Sequence, residues 1–337
     1  MIYKIGVDCY KLSPSRSKWL MFIWLSGPIT VFIQFYFGQY DSIGLFFLLV
    51  SFYFYLRSNM KLFILFAAIA MTFKLFALLA FIPLLLLKEK RVLYIIRNLL
   101  LSISGIIICK FYIADPGFTV SKTFESNMVG RIFNSSLPVA WGSASYFLIF
   151  YIAICIYSYL SAIEDSKISD IASYILLCVY GFLFLFVDWH PQWVLYLTPF
   201  LTLALPQRRI SYKTILIDTG LGLSYILYTI VVFPNGIGFN MMKMGGISQI
   251  FNNYSFKLDL LKDFITLSGR IPMSLYISLF CAMLISIIIL YFPKLTIMTK
   301  DSKAFSRDLI WLRSSVIMVY YIIVQVVFVI TKVFNNI

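Results

Sequence analysis

The chain has 337 residues, 61% of them hydrophobic and 12% charged, with a mean hydropathy of +0.91, whereas an ordinary soluble domain carries about 25% charged residues. That composition excludes a soluble globular protein and predicts an all-α, polytopic transmembrane helical protein. The net charge of +14 comes from 28 Lys plus Arg against 14 Asp plus Glu; the cations lie mostly between apolar runs, and no recognition helix, RNP-like motif or basic tail accompanies them, so the charge is read as membrane topology and no nucleic-acid partner is expected.

The N-terminus, MIYKIGVDCYKLSPSRSKW, lacks the continuous apolar core of a cleavable signal peptide, so the first span is expected to act as its own insertion signal. Apolar runs long enough to cross roughly 30 Å of hydrocarbon predict about nine full spans. They lie near 19–37, 42–56, 99–114, 147–162, 171–187, 194–206, 214–233, 273–292 and 314–331. Residues 62–87 add either one long tilted helix or two short segments meeting at Thr72, Phe73 and Lys74. Charge decides for the short re-entrant pair, because a single crossing would put Lys88, Lys90, Arg91 and Arg97 on the face opposite Arg57 and Lys61. With the pair, the basic clusters share one side, which the positive-inside rule makes cytoplasmic together with the N-terminus. With no internal repeat and no soluble linker, 1–337 is read as a single integral membrane domain in a multi-pass cell-membrane protein. The five cysteines (Cys9, Cys109, Cys155, Cys178, Cys281) show no CxxC or CxxH spacing, so no metal site or disulfide framework is expected.

The opposite face collects the polar residues that do not belong in lipid: the GQYD turn at 38–41, the segments 115–146 and 234–272, and DWHPQW at 188–193. Charged groups inside a span cost about 2.5 to 3.5 kcal/mol on insertion scales, so each needs a partner, water or a ligand. Lys74 stands about 20 Å beyond Lys61 along a helix, near the outer end of its segment. It either faces an anion or snorkels to the interface. Asp41 is a functional carboxylate or the N-cap of the span starting at Ser42, with Gln39 and Tyr40 beside it. His190, the single histidine, with Asp188 and Gln192 at an outer-face helix start, is a hydrogen-bonding interface residue or a phosphate-binding or proton-shuttling group. Trp189 and Trp193 fit an aromatic interfacial belt. Asp115, Glu125 and Arg131 are read as solvated loop charges, Asn134 heads an N-x-Ser triplet, and Asp218 pairs with cytoplasmic-side cations. Because interrupted helices at membrane depth line cavities rather than lipid, a cavity beneath the outer face is expected.

The run GQYDSIGLFFLLVSFYFYLRSNMKLFILFAAIAMTFKLFALLAFIPLLLLKEKR resembles the central region of GT-C fold glycosyltransferases, especially the bacterial mannosyltransferase-like enzymes that use polyprenyl-phosphate sugars. In that family a GQxD-type turn precedes a span, a short basic turn, a segment ending in FK, a proline-containing leucine run and a basic cluster. Here these are Gly38 to Asp41, Arg57 to Lys61, Phe73 and Lys74, Pro83 to Leu87, and Lys88 to Arg91. HPQWVLYLTPFLTLAL resembles the family's HxQY-like element, with His190, Gln192, Trp193 in place of the usual Tyr, and Pro199. The likeness covers about 19–206, leaving 207–337 as C-terminal spans.

The resemblance implies transfer of a sugar from a polyprenyl-phosphate donor to a cell-surface glycan or lipid acceptor on the extracytoplasmic face of a bacterial plasma membrane. Asp41 would be the catalytic base and Gln39, Tyr40, Lys74, His190 and Gln192 would bind substrate, with Lys74 and His190, or a divalent cation as cofactor, holding the departing phosphate. Family members usually begin with further spans and an outer loop carrying an acidic base, which are expected ahead of Asp41 and are missing here. A truncated frame, a split enzyme completed by a protein partner, or an inactive relative are therefore the expectations, with weak transfer by the isolated chain. Two readings from other classes stay open: a lipid-linked glycan flippase or transporter, and a non-catalytic membrane subunit.

Overall fold

The computed structural model describes residues 1–34, 41–112, 128–205, 212–233, 266, 269–293, 311 and 313–315. The fold is mostly helical, and four of the described helices are long and apolar enough to cross a membrane, within 92–109, 168–186, 215–232 and 273–290. The chain divides into two compact units, Met1–Met21 with Tyr40–Ala204 and Phe22–Gln39 with Leu205–Ile337.

The order of elements corrects the expectation of nine full spans. The run 19–37 is broken, with α1 (Pro14–Leu25) ending before Gly27 and α2 (Pro28–Phe32) restarting on Pro28, whose fixed φ and missing N–H suit a first helical turn. Helices α3 (Asp41–Leu56), α4 (Met60–Phe73) and α5 (Phe76–Lys88) are shorter than a comfortable crossing. Helix α6 (Val92–Tyr112) is long. After a helical turn at Met128–Arg131 come two antiparallel strands, β1 (Ser136–Val139) and β2 (Gly142–Ser145), registering Ser136 with Ser145 and Val139 with Gly142. This two-stranded hairpin is a small addition to an otherwise helical fold, where SLPVAWGSAS sets small residues opposite Leu137, Pro138 and Val139 around a turn and no helical period operates. The short α7 (Tyr146–Leu160) and long α8 (Ile168–Phe186) follow. The expected span 194–206 is instead a 3-10 turn, Pro191–Tyr196, and the six-residue α9 (Thr198–Leu203). Helices α10 (Tyr212–Val232) and α11 (Met273–Leu290) match their expected spans, and 314–331 lies outside the described residues apart from 314 and 315.

In the first unit α3 and α4 form an antiparallel pair across a tight turn. Ser58 takes a left-handed φ of 57° there, and the Asn59 side chain accepts the Leu62 N–H at 3.2 Å as an N-cap. Aromatic rings fill the seam: Phe47 stacks on Phe73 at 5.8 Å, Phe54 on Phe66 at 5.4 Å, and Tyr55 meets Phe63 at 5.1 Å. Helix α5 then reverses along α4. Phe81 stacks on Phe63 at 4.9 Å, and the Lys88 ammonium at its far end donates to the Tyr55 carbonyl and to Ser58 Oγ. Both flanking basic clusters are thus brought to one end of the unit, as the charge argument for a helical pair required.

Two features mark these helices as built for lipid. On α6 the inward stripe is polar or small (Asn98, Ser102, and Gly105 set against the Ala68 backbone), while Leu93 is 80% and Phe111 75% exposed; small and hydrogen-bonding residues let helices approach where lipid already solvates leucine. On α5, Pro83 has no N–H to give the carbonyl one turn back, and the buried Tyr151 hydroxyl of α7 donates to that Leu79 oxygen at 3.2 Å instead.

The second unit packs α2 against α10 through Gly222, which leaves no room for a Cβ beside Pro28. Phe32 meets Tyr225 edge-on at 5.8 Å, and Phe280 of α11 stacks on Tyr228 at 6.0 Å. Buried Arg313 pairs with Asp218 and donates to the Ile23 carbonyl and Ser26 Oγ.

Two outcomes check this fold. Tyr151→Phe strands the Leu79 carbonyl in an apolar interior and should cost about 1 to 3 kcal/mol in thermal or denaturant unfolding. Cysteines placed singly at Ser58 and Glu89 in intact vesicles should react with an impermeant maleimide from the same side; labelling from opposite sides would undo the α4–α5 reversal.

Candidate functional site

At the end of the first unit opposite the basic clusters, α3 begins with Asp41 and α4 stops at Phe73. Lys74 is extended (φ −154°, ψ 130°) between α4 and α5, a break that needs neither proline nor glycine. Its ammonium lies 3.1 Å from Asp41 Oδ1, and Asp41 is 1% exposed. An uncompensated charge in such a place is costly, and the extended backbone at Lys74 lets the two groups meet. One turn into α3, a Cβ on Gly44 would fall 2.5 Å from the Tyr196 hydroxyl and 3.1 Å from Phe73 Cβ. The glycine therefore lets the 3-10 turn and the end of α4 close over the ion pair.

The DWHPQW segment completes this end. Trp189 is buried and its indole N–H donates to the Phe184 carbonyl at 2.8 Å, which straps the chain across the end of α8. Pro191 opens the 3-10 turn. Trp193, also buried, meets Phe76 at 5.0 Å and the His190 ring at 5.0 Å, both edge-on. Around the same indole stand the Lys74 ammonium at 5.9 Å and the Arg131 guanidinium at 6.0 Å from the ring centroid, the outer limit of cation–π attraction. Desolvation of the His190 ring, and then the Arg131 and Lys74 charges, hold its pKa below the ordinary 6.5. The imidazole is therefore neutral at pH 7, able to accept a proton at one nitrogen while donating from the other.

Four of the six residues singled out in the sequence can be placed. Asp41 and Lys74 are in direct contact, and Lys74 and His190 share Trp193. Gln192 is half-buried in the same turn, but among the described residues its amide is not hydrogen-bonded to the other three. Gln39 and Tyr40 lie outside the described residues. Two readings are corrected. Trp189 and Trp193 are not an interfacial belt: the Trp189 indole bonds back to the Phe184 carbonyl and its ring meets Phe184, and the 3-10 turn folds Trp193 inward onto Phe76. Arg131 is no solvated loop charge, being carried by its helical turn to the face of Trp193. Its sequence signal was weak: a lone arginine just before an uncharged tract. Asn134 donates to Asp188 Oδ2 at 2.5 Å, tying the same loop to the end of α8. A cavity of about 650 Å³ is present in this unit at the basic end, among Ser58, Lys88, Lys90, Ser161 and Asp165.

No family model, curated protein or solved structure matches the chain. The site combines a buried carboxylate, a cation already bound to it, a second cation and a neutral imidazole on one aromatic platform, which suits an anionic ligand accompanied by a proton transfer.

Lys74→Met should leave Asp41 as an unpaired buried charge and cost about 3 to 5 kcal/mol in stability. The double variant Asp41→Asn/Lys74→Met should recover most of that loss, and strict additivity in unfolding measurements would show that the two groups are not coupled.

Proposed function

We propose that the chain is a membrane glycosyltransferase of GT-C type that moves a sugar from a polyprenyl-phosphate donor to a glycan or lipid acceptor on the extracytoplasmic face. On this reading the N-terminus and the basic end face the cytoplasm, α4 and α5 are the re-entrant pair, and a bacterial plasma membrane is the favoured setting. The observation that carries it is the buried Asp41–Lys74 pair with Arg131 and His190 around Trp193, at the end of the unit away from the basic clusters. A supporting fact is that the placed residues carrying the family resemblance, from Asp41 to Pro199, fall in one compact unit.

The chemistry assigns each group a task. The donor phosphate, arriving between Arg131, His190 and Lys74, competes with Asp41 for the Lys74 ammonium. Asp41 is thereby released from its partner and becomes the base that takes the acceptor hydroxyl proton. The acceptor oxygen bonds to the anomeric carbon as the carbon–oxygen bond to phosphate breaks, and polyprenyl phosphate leaves with the electron pair under the two cations. Electrostatic stabilisation of that departing charge is the largest contribution such a site can make. A transporter reading draws on the same ion pair, since a salt bridge at a helix break can gate a pathway.

The purified chain, reconstituted with polyprenyl-phosphate sugars and candidate acceptors, should form glycosylated product at a low rate. Asp41→Asn should lower that rate by about 10² to 10⁴, the usual contribution of a general base. Turnover that survives Asp41→Asn would remove Asp41 as base, and movement of the lipid-linked sugar across the vesicle without product would favour the transporter.

A further inference from the structure

The tip of the β1–β2 hairpin carries Trp141 with its side chain 100% exposed, and Leu137 and Val139 on β1 are exposed beside it. We propose that this hairpin is an interfacial anchor, whose tip places Trp141, Val139 and Leu137 in the layer between lipid headgroups and acyl chains of the bilayer that α8 crosses. The inference is independent of the transferase reading and rests only on α8 being a membrane-crossing helix.

The level of the hairpin is fixed by ring contacts. Helices α7 and α8 are antiparallel, and Tyr146 and Phe150 of α7 lie 5.6 and 5.4 Å from Phe186, the last residue of α8. The start of α7 is thus level with the point where α8 leaves the hydrocarbon and the chain turns polar at Asp188. Strand β2 runs into α7 with no residue between them. Ser145 both caps α7, accepting the Leu148 N–H, and donates to the Ile132 carbonyl, while the Tyr146 N–H donates to the Ser135 carbonyl at 3.2 Å. With Asn134 held by Asp188, the hairpin base is tied on two sides to the ends of helices at the membrane boundary.

Its chemistry fits that layer. No charged side chain occurs from Ile132 to Ile163, so neither the hairpin nor the exposed flank of α7 carries a group that lipid would reject. A four-residue strand reaches about 13 Å, whereas each headgroup layer is about 5 to 8 Å deep. A tilted hairpin therefore lies within the layer, and its apolar tip favours the tilt. Tryptophan is the side chain most at home there, with an apolar body and one N–H donor.

The test uses the chain in bilayers whose phospholipid carries bromine near the top of the acyl chain, comparing tryptophan fluorescence with that of Trp141→Phe. The other tryptophans are common to both proteins, so the difference isolates Trp141, and an exposed tip residue can be replaced without disturbing packing. The Trp141 component should be quenched by the brominated lipid and largely spared by aqueous iodide. Quenching by iodide would put the tip in water. Quenching by neither would mean that protein, such as a second copy of the chain, covers it. Either result overturns the proposal. Trp141→Tyr, which keeps an interfacial ring, should leave a label at position 143 as shielded from aqueous iodide as in the parent, whereas Trp141→Asp should open that label to iodide.

Discussion

A lysine in the middle of an apolar stretch has few ways to exist, and the Asp41–Lys74 contact is the one on which the first unit is arranged. To reach a carboxylate at the head of α3, the chain must leave helical geometry at Lys74, and that single extended residue divides the apolar run into α4 and α5. Once divided, α5 turns back along α4 instead of continuing across. One turn along α3, the small Gly44 makes room for the Tyr196 hydroxyl and Phe73, and Tyr196 meets Phe76 edge-on. Remove the need to neutralise one ammonium, and nothing local in TFKLFA would end a helix there.

The opposite end obeys a complementary rule. Helices α3, α5 and α7 all finish at the basic end, where their last carbonyls lack intrahelical partners. Lys88 donates to the carbonyl of Tyr55, and Lys90 to those of Leu86 and Ser158 at 2.7 Å each. Cations that are usually discussed as topology signals thus act also as C-terminal caps, satisfying orphan acceptors and complementing three helix dipoles. The same lysines rest on the rings of Tyr55 and Tyr159, which shields the ammonium groups while they reach inward.

Much of this was legible from residue order alone, and the reasons for the remainder are physical. The division of 62–87 followed from charge, because basic residues on both flanks cannot be split across a membrane cheaply. The partnership of Lys74 followed from the cost of burying it. Span counting did less well, since hydropathy records only that a run is apolar: it could not see that Gly27–Pro28 interrupts a helix, or that HPQWVLY winds as a 3-10 turn. The tryptophans were misassigned for a related reason. An indole beside a polar segment suits an interface or a platform equally, and only tertiary contacts to Phe76, Lys74 and Arg131 distinguish them. Arg131 itself was invisible, because its role depends on a loop conformation that no periodicity encodes.

Arg313 in the second unit sets a condition on the order in which the chain can be assembled. Its guanidinium reaches both Asp218 on α10 and the Ile23 carbonyl and Ser26 hydroxyl just ahead of α2. Arg313 lies 290 positions beyond Ile23 and 95 (313 − 218) beyond Asp218, so a chain emerging from the ribosome presents the turn at Ser26, and then Asp218, before their partner is synthesised. Contacts of such sequence separation form late and slowly. Until then the second unit lacks the ion pair and the two hydrogen bonds that join its first and last described segments.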